Sequence, residues 1–270
     1  MTNVHYDAAI SDDERRRQLY AGDLFVYSPS DASRELVKFA REMVAEVFGS
    51  RNPELAQYDL PVEEYARRLG EFKPRFIHHP ECKRLLPKIL EAVGCDLAST
   101  YFDVPRIRTS TSDDYLTTGI AFAFHPQYWS RGVRNSSSGY NYQEWNRVSR
   151  FNAAQQIGVD TRAQPKATEP VDMQPDIRVL PPPGGLLIFS AAQLHSSVEN
   201  TSGRTRFSID FRTVHLDDVR NMRGAPNVDS HCTGSTMGDY LRGTDLSKLP
   251  TDVIAPYDAG PPQRVMSKGA

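Results

Sequence analysis

A chain of 270 residues, 39% hydrophobic and 24% charged, is long enough to bury one sizeable core. Its 32 Lys and Arg against 34 Asp and Glu leave a formal charge of −2, so no overall field argues for nucleic acid or an anionic membrane, and a small-molecule partner gains weight. Cys82, Cys95 and Cys232 form no CxxC or other metal-binding spacing, and their odd number fits a reducing compartment better than a disulfide framework.

The first residues, MTNVHYDAAISDDERRRQLY, contain no apolar h-region, and no window approaches about 18 consecutive apolar residues. A cytoplasmic protein without a membrane span is expected. DDERRRQ reads as a solvated charged segment. After the short apolar run LFVYS, the stretch Asp31 to Phe48 places Leu36, Ala40, Met43, Val44 and Val47 on one stripe. Ser30 and Asp31 are cap candidates and Gly49 follows, so an amphipathic helix is predicted. PVEEYARRLGEF opens with a proline suited to a first helical position and has acids in its first turn. HPECKRLLPKILEAVG has Pro80 near its start, Leu86, Ile89, Leu90 and Val93 on one face, and Gly94 at its end. Pro87 should interrupt it locally.

From Thr100 the texture becomes strand-like. TYFDVPRIRTSTS and YLTTGIAFAFHPQYW are rich in Thr, aromatic and β-branched residues, with turn residues at Ser112 to Asp114. A polar loop, RNSSSGYNYQEWNR, and an irregular excursion over 159–176 follow. Strand character returns in DIRVLPPPGGLLIFSAAQLHSSVENTSGRTRFSIDFRTVHL, broken at Pro181 to Gly185 and at the Asn200 to Gly203 turn. Phe207, Ile209 and Phe211 alternate with Ser208, Asp210 and Arg212, as a strand with one face in a core should. One domain over 1–270 is expected: a mainly helical part over 1–98, a strand-rich core over 99–218, and a turn-rich covering segment over 219–270. Gly184 and Gly185 do not form a phosphate loop, because GxGxxG and Walker spacings are absent.

Antiparallel strands in one continuous turn-rich stretch suggest a jelly roll or related sandwich, whose mouth can hold a ligand. His195 follows the apolar strand GGLLIFSAAQL, and Arg206 lies beyond a Gly-containing turn where the hairpin returns past the histidine. These residues, with TYFDVPRIRTSTSDDYLTTGIAFAFHP, QYWSRGVRNSSSGYNYQEWNR and NTSGRTRFSIDFRTVHLDDV, resemble the Fe(II)/2-oxoglutarate-dependent oxygenases, in particular the phytanoyl-CoA-hydroxylase-like branch. The resemblance runs over most of the chain and is most specific in the last block. It implies an α+β protein with a double-stranded β-helix (jelly-roll) core and N-terminal helices. It also implies a cytoplasmic non-haem iron dioxygenase, using O2 and 2-oxoglutarate to hydroxylate a small molecule and releasing succinate. His195 would be the distal iron ligand, His125 a second ligand, and Arg206 the anchor of the 2-oxoglutarate carboxylate. An arginine suits that role because its planar fork donates two parallel hydrogen bonds. Arg204 and Arg212 share the parity of Arg206, and parity alone does not choose among them.

One part of the family pattern is missing. The family needs a His-x-Asp or His-x-Glu at the end of an earlier strand, where this chain has His125-Pro126-Gln127. An amide oxygen supplies a dipole where a carboxylate would supply charge to offset the iron. One AFAFHP runs directly into QYWSRGV, as though a piece between two similar stretches had been dropped. Roughly five candidate strands fall between Thr100 and Val214, against about eight in a complete jelly roll. An incomplete core is therefore expected, with sheet edges through which the chain can associate. His79-Pro80-Glu81 and His215-Leu216-Asp217 imitate the motif. The first has the composition of a helix start, and in the second Asp217 or Asp218 is read as a cap. The alternative to an oxygenase is a catalytically inactive, internally deleted relative that serves as a binding or partner-subunit module.

Overall fold

The computed structural model describes residues 3–112, 179–190, 200–221 and 237–258. The strand expected around His125 and the segment carrying His195 lie outside the described residues. What is described is a mixture of helices and small sheets, with no closed barrel among the described residues.

The chain opens with a strand, helix, strand unit. Strand β1 (Val4–Tyr6) pairs in parallel with β2 (Leu24–Tyr27), and helix α1 (Asp12–Ala21) makes the crossover that a parallel pair requires. The segment expected to be solvated and charged is therefore a helix. Ser11 caps it by accepting from Glu14 N at 3.2 Å, and Asp12, Asp13 and Glu14 occupy its positive N-terminal end. Gly22 closes it at φ 98°, a left-handed conformation that costs glycine little. Arg15, only 2% exposed, donates to the Val93 carbonyl, pairs with Asp12 and approaches Cys95 Sγ at 3.2 Å. Arg16 and Tyr20 both reach Asp218 at 2.8 Å, tying this first unit to a residue 202 and 198 positions further along the chain.

Helix α2 (Asp31–Phe48) occupies the predicted span. Ser30 and Ser33 satisfy each other's backbone N–H groups reciprocally, and Leu36, Ala40, Met43, Val44 and Phe48 are buried. A 3-10 turn (Pro53–Leu55) and the short helix α3 (Ala56–Asp59) lead to α4 (Val62–Ile77), which runs past its expected end and contains Pro74. Pro61 stands just ahead of the helix, at the cap and not in the first turn. Helix α5 (Pro80–Ala92) continues through Pro87, so the expected interruption does not occur. Its apolar face, Leu85, Leu86, Ile89 and Leu90, is held against α2 and α4, where Tyr65, Leu69, Phe72 and Phe76 are completely buried. Full burial of such side chains is worth about 1.5–3 kcal/mol each, enough to hold a helix across a proline that removes one backbone bond.

Strands β3 (Thr100–Phe102), β4 (Arg106–Ser110), β5 (Leu186–Ile188), β6 (Arg206–Asp210) and β7 (Thr213–His215) follow, then helix α6 (Leu216–Arg220). After a 3-10 turn (Met237–Asp239) come strand β8 (Leu241–Arg242) and helix α7 (Thr251–Asp258). The sheets are ordered β1-β2-β5, β7-β3-β8 and β4-β6, all pairs but the first antiparallel. Two pairings cross the expected subdivision of the chain: β2, in the mainly helical part, pairs with β5, and β8, in the covering segment, extends the sheet of β3 and β7. The largest core joins α2, α4 and α5 to Phe102 and Ile107, and a second gathers Tyr101, Val214, Val219, Met237, Tyr240, Leu249 and Val253.

Candidate functional site

Strands β4 and β6 form an antiparallel ladder in the register Arg106↔Asp210, Ile107↔Ile209, Arg108↔Ser208, Thr109↔Phe207 and Ser110↔Arg206. Directly opposed residues share a face and alternate residues change face. Ile107 is buried, and Phe207, Ile209 and Phe211 pack against the helical core, so this face is covered by helices. The other face carries Arg106, Arg108, Ser110, Arg206, Ser208 and Asp210. It carries three guanidinium groups and one carboxylate.

Two of the three arginines are paired. Arg108 meets Asp210 diagonally across the ladder, Nε to Oδ1 at 2.8 Å and Nη2 to Oδ2 at 3.3 Å, in the two-pronged geometry that suits a carboxylate. Arg106 Nη1 donates to Asp103 Oδ2 at 2.8 Å, and Asp103 is completely buried. Arg206, exposed at the first position of β6, has no side-chain hydrogen bond or ion pair among the described residues. It keeps its five N–H donors for an incoming group. Lys73 stands on α4, one of the helices that cover the apolar face; burial first, and the Arg108 charge second, bring its amine down from 10.5 to about 8. With Arg106 and Arg108 paired to carboxylates, Arg206 is the one arginine of the ladder without an ion pair among the described residues.

The competing arginines sit elsewhere. Arg204 lies in the turn ahead of the strand, where its carbonyl accepts from Asn200 Nδ2 at 2.7 Å. Gly203, at φ 70°, gives that turn its left-handed step. Arg212 lies beyond the other end of β6, about 20 Å along the strand from Arg206 at some 3.4 Å per residue. Its backbone N–H donates to Asp103 Oδ1 at 2.6 Å, and its charge bears on Tyr240. Burial raises the Tyr240 phenol, with Asp103 adding to the rise and Arg212 and Arg106 opposing it. Arg212 therefore belongs to the packing of Asp103 and Tyr240.

Both motif imitations are helix caps of one design. His79 Nδ1 accepts from Glu81 N at 3.3 Å at the start of α5, and His215 Nδ1 accepts from Asp217 N at 3.3 Å at the start of α6. In the second case the cap is the histidine, not the aspartates to which the sequence pointed. His79 also lies against the Phe39 ring, with centroids 4.4 Å apart, on the rim of an open groove of about 500 Å³ where Arg75 is paired with Glu46. Among the described residues no group of three or more His, Cys, Asp or Glu could hold a metal ion. The expected ligands His125 and His195, and Gln127, lie outside the described residues.

Sequence reasoning passed over Lys73 and the buried Gln57. Lys73 had a signal: it falls on the helical stripe of Ala66, Leu69 and Phe76, an uncommon place for a lysine. Gln57 had none, because its partners are 55 and 148 residues away. No helix among the described residues is long and apolar enough to cross a membrane. Comparison with known proteins finds no matching family model, no matching curated protein and no matching solved structure.

Proposed function

We propose that the chain is a non-haem Fe(II)/2-oxoglutarate-dependent oxygenase of the hydroxylase type, built on a jelly-roll core and acting on a small molecule. The observation that carries the reading is the position of Arg206. It is an exposed guanidinium, unpaired among the described residues, on the polar face of a sheet whose other face is buried by helices, as a carboxylate anchor requires. That donor set fits the 2-oxoglutarate carboxylate. His195 and His125 would hold the iron, which when bound supplies the oxygen activation that 2-oxoglutarate drives. The role of the protein residues is to orient: Arg206 fixes one end of the cosubstrate, and the Arg108–Asp210 pair keeps the neighbouring cation from competing for it.

A second reading is favoured by Gln127, which stands where the family pattern requires a carboxylate. On that reading the chain is a catalytically inactive relative that binds a small carboxylate or a partner subunit. Succinate release separates the two. Aerobic incubation with Fe(II), ascorbate and 2-oxoglutarate should yield succinate above a boiled control, and Arg206→Ala should abolish the yield. Binding of 2-oxoglutarate without any succinate would leave only the second reading.

A further inference from the structure

Arg206 is bracketed by groups that do not touch it. Thr205, 2% exposed, points to the core side of the ladder and is held by three hydrogen bonds. Its N–H donates to the Glu54 carbonyl at 2.8 Å, its hydroxyl donates to Gln57 Oε1 at 2.7 Å, and the same hydroxyl accepts from Tyr65 OH at 3.2 Å. Gln57, 1% exposed on α3, also grips the end of β4: its Oε1 accepts from Ser112 N and its Nε2 donates to Ser112 O, both at 3.0 Å. Ser112 Oγ closes the circuit, donating to the Asn200 carbonyl at 3.1 Å and accepting from Gly203 N at 3.0 Å. One buried amide thus joins the end of β4, the turn at 200–203 and the residue preceding Arg206.

This arrangement answers a physical need. Arg206 is the first residue of β6, paired with Ser110, the last of β4, so the ladder supports it on one side only and its natural tendency is to fray. A guanidinium meant to take a carboxylate with two parallel bonds must be held within about 0.5 Å of its working position. We infer that Gln57 and Thr205 form a clamp that sets where the Arg206 guanidinium stands, and so tune the affinity of the site for a carboxylate ligand. The inference rests on the reading of Arg206 as the 2-oxoglutarate anchor. Gln57 and Thr205 are positioning residues, because they act only through the backbone at 204–206.

The test is calorimetric titration of the full chain with 2-oxoglutarate and Fe(II) under anaerobic conditions. Thr205→Val keeps the shape and loses the hydroxyl, whereas Thr205→Ser keeps the hydroxyl. At a temperature where each is folded by circular dichroism, Thr205→Val should weaken binding about tenfold, the size of one lost buried hydrogen bond, while Thr205→Ser stays within about threefold of the parent. Tyr65→Phe, which removes one bond to Thr205, replaces Thr205→Val if that variant does not fold. Undiminished affinity in the folded Thr205→Val or Tyr65→Phe chain overturns the clamp, whatever happens to the melting temperature. If the parent itself binds no 2-oxoglutarate, the anchor reading falls, and amide hydrogen exchange at 204–207 then decides on the clamp. Faster exchange there in Thr205→Val upholds it, and unchanged exchange overturns it.

Discussion

Three arginines of like parity flank or occupy one strand, and their surroundings give them different work. Among the described residues the guanidinium groups of Arg206 and Arg204 both lack partners, but Arg206 stands on the ladder whereas Arg204 lies in the turn that its carbonyl helps to hold, and Arg212 stands among the groups that pack around Asp103 and Tyr240. Arg206→Ala should therefore raise the dissociation constant for 2-oxoglutarate by at least about tenfold, the loss of charge-assisted hydrogen bonds worth about 1.5–3 kcal/mol. Arg212→Ala should leave that constant near the parent value and lower the urea midpoint instead; the opposite assignment of effects in titration and denaturation would show Arg212 to be the anchor. Lys73 makes a second prediction. Its folded-state pKa of about 8 lies below the ordinary 10.5, so folding disfavours its charged form. Between those values the unfolded chain binds more protons, and this residue's contribution to stability rises with pH from about 8 to 10.5. Cys82 and Cys95, both pushed by burial up to about 12, act in the other direction above pH 9. The difference between parent and Lys73→Met isolates the lysine: denaturant unfolding across this window should show the parent gaining on the variant as pH rises, and parallel curves would refute it.

The helices show what a local pattern encodes. Helix α2 was readable in full because Ser30, an apolar stripe and Gly49 are all local signals. His79-Pro80-Glu81 was readable as a helix start, whereas at His215-Leu216-Asp217 the cap was expected at an aspartate and falls on the histidine; each histidine supplies the acceptor for an otherwise orphan N–H. His79→Ala should cost about 1 kcal/mol in urea denaturation, the usual scale for a lost N-cap, and leave iron affinity unchanged; weaker iron binding would mean that the imidazole is a ligand after all. Helix α1 was not readable. It has no apolar stripe, and it is held by ion pairs of Arg15, Arg16 and Arg17 with Asp12, Asp13 and Glu14, and by the burial of Arg15 under a carbonyl 78 residues away. Arg15→Ala should destabilise the chain by about 3 kcal/mol, because the Val93 carbonyl loses its donor and Asp12 keeps only Arg16 of its two arginines, where water is scarce. A change below about 0.5 kcal/mol would return α1 to the status of a solvated segment. For the candidate site, the alternation in RFSIDF gave the two faces of β6 from sequence alone. The choice among the arginines did not follow from it, because it depends on Asp103 and on the Gln57 circuit, partners distant along the chain.

Taken together, the helices α2, α4 and α5 cover one side of the β4-β6 ladder, and the opposite side carries Arg106, Arg108, Arg206 and Asp210. Polar residues gather on that side, and the one uncommitted cation, among the described arginines of the ladder, stands at its end. The β2–β5 and β3–β8 pairings bring early and late parts of the chain into the same sheets as its middle, while the β4-β6 ladder stands as a sheet of its own. The decisive measurement is anaerobic titration of the full chain with Fe(II) in the presence of 2-oxoglutarate, followed by visible absorption. A weak charge-transfer band that saturates at one equivalent of iron, and that Arg206→Ala removes, is the expected result. A featureless spectrum at saturating metal and cosubstrate, from protein shown to be folded, would contradict the proposed oxygenase.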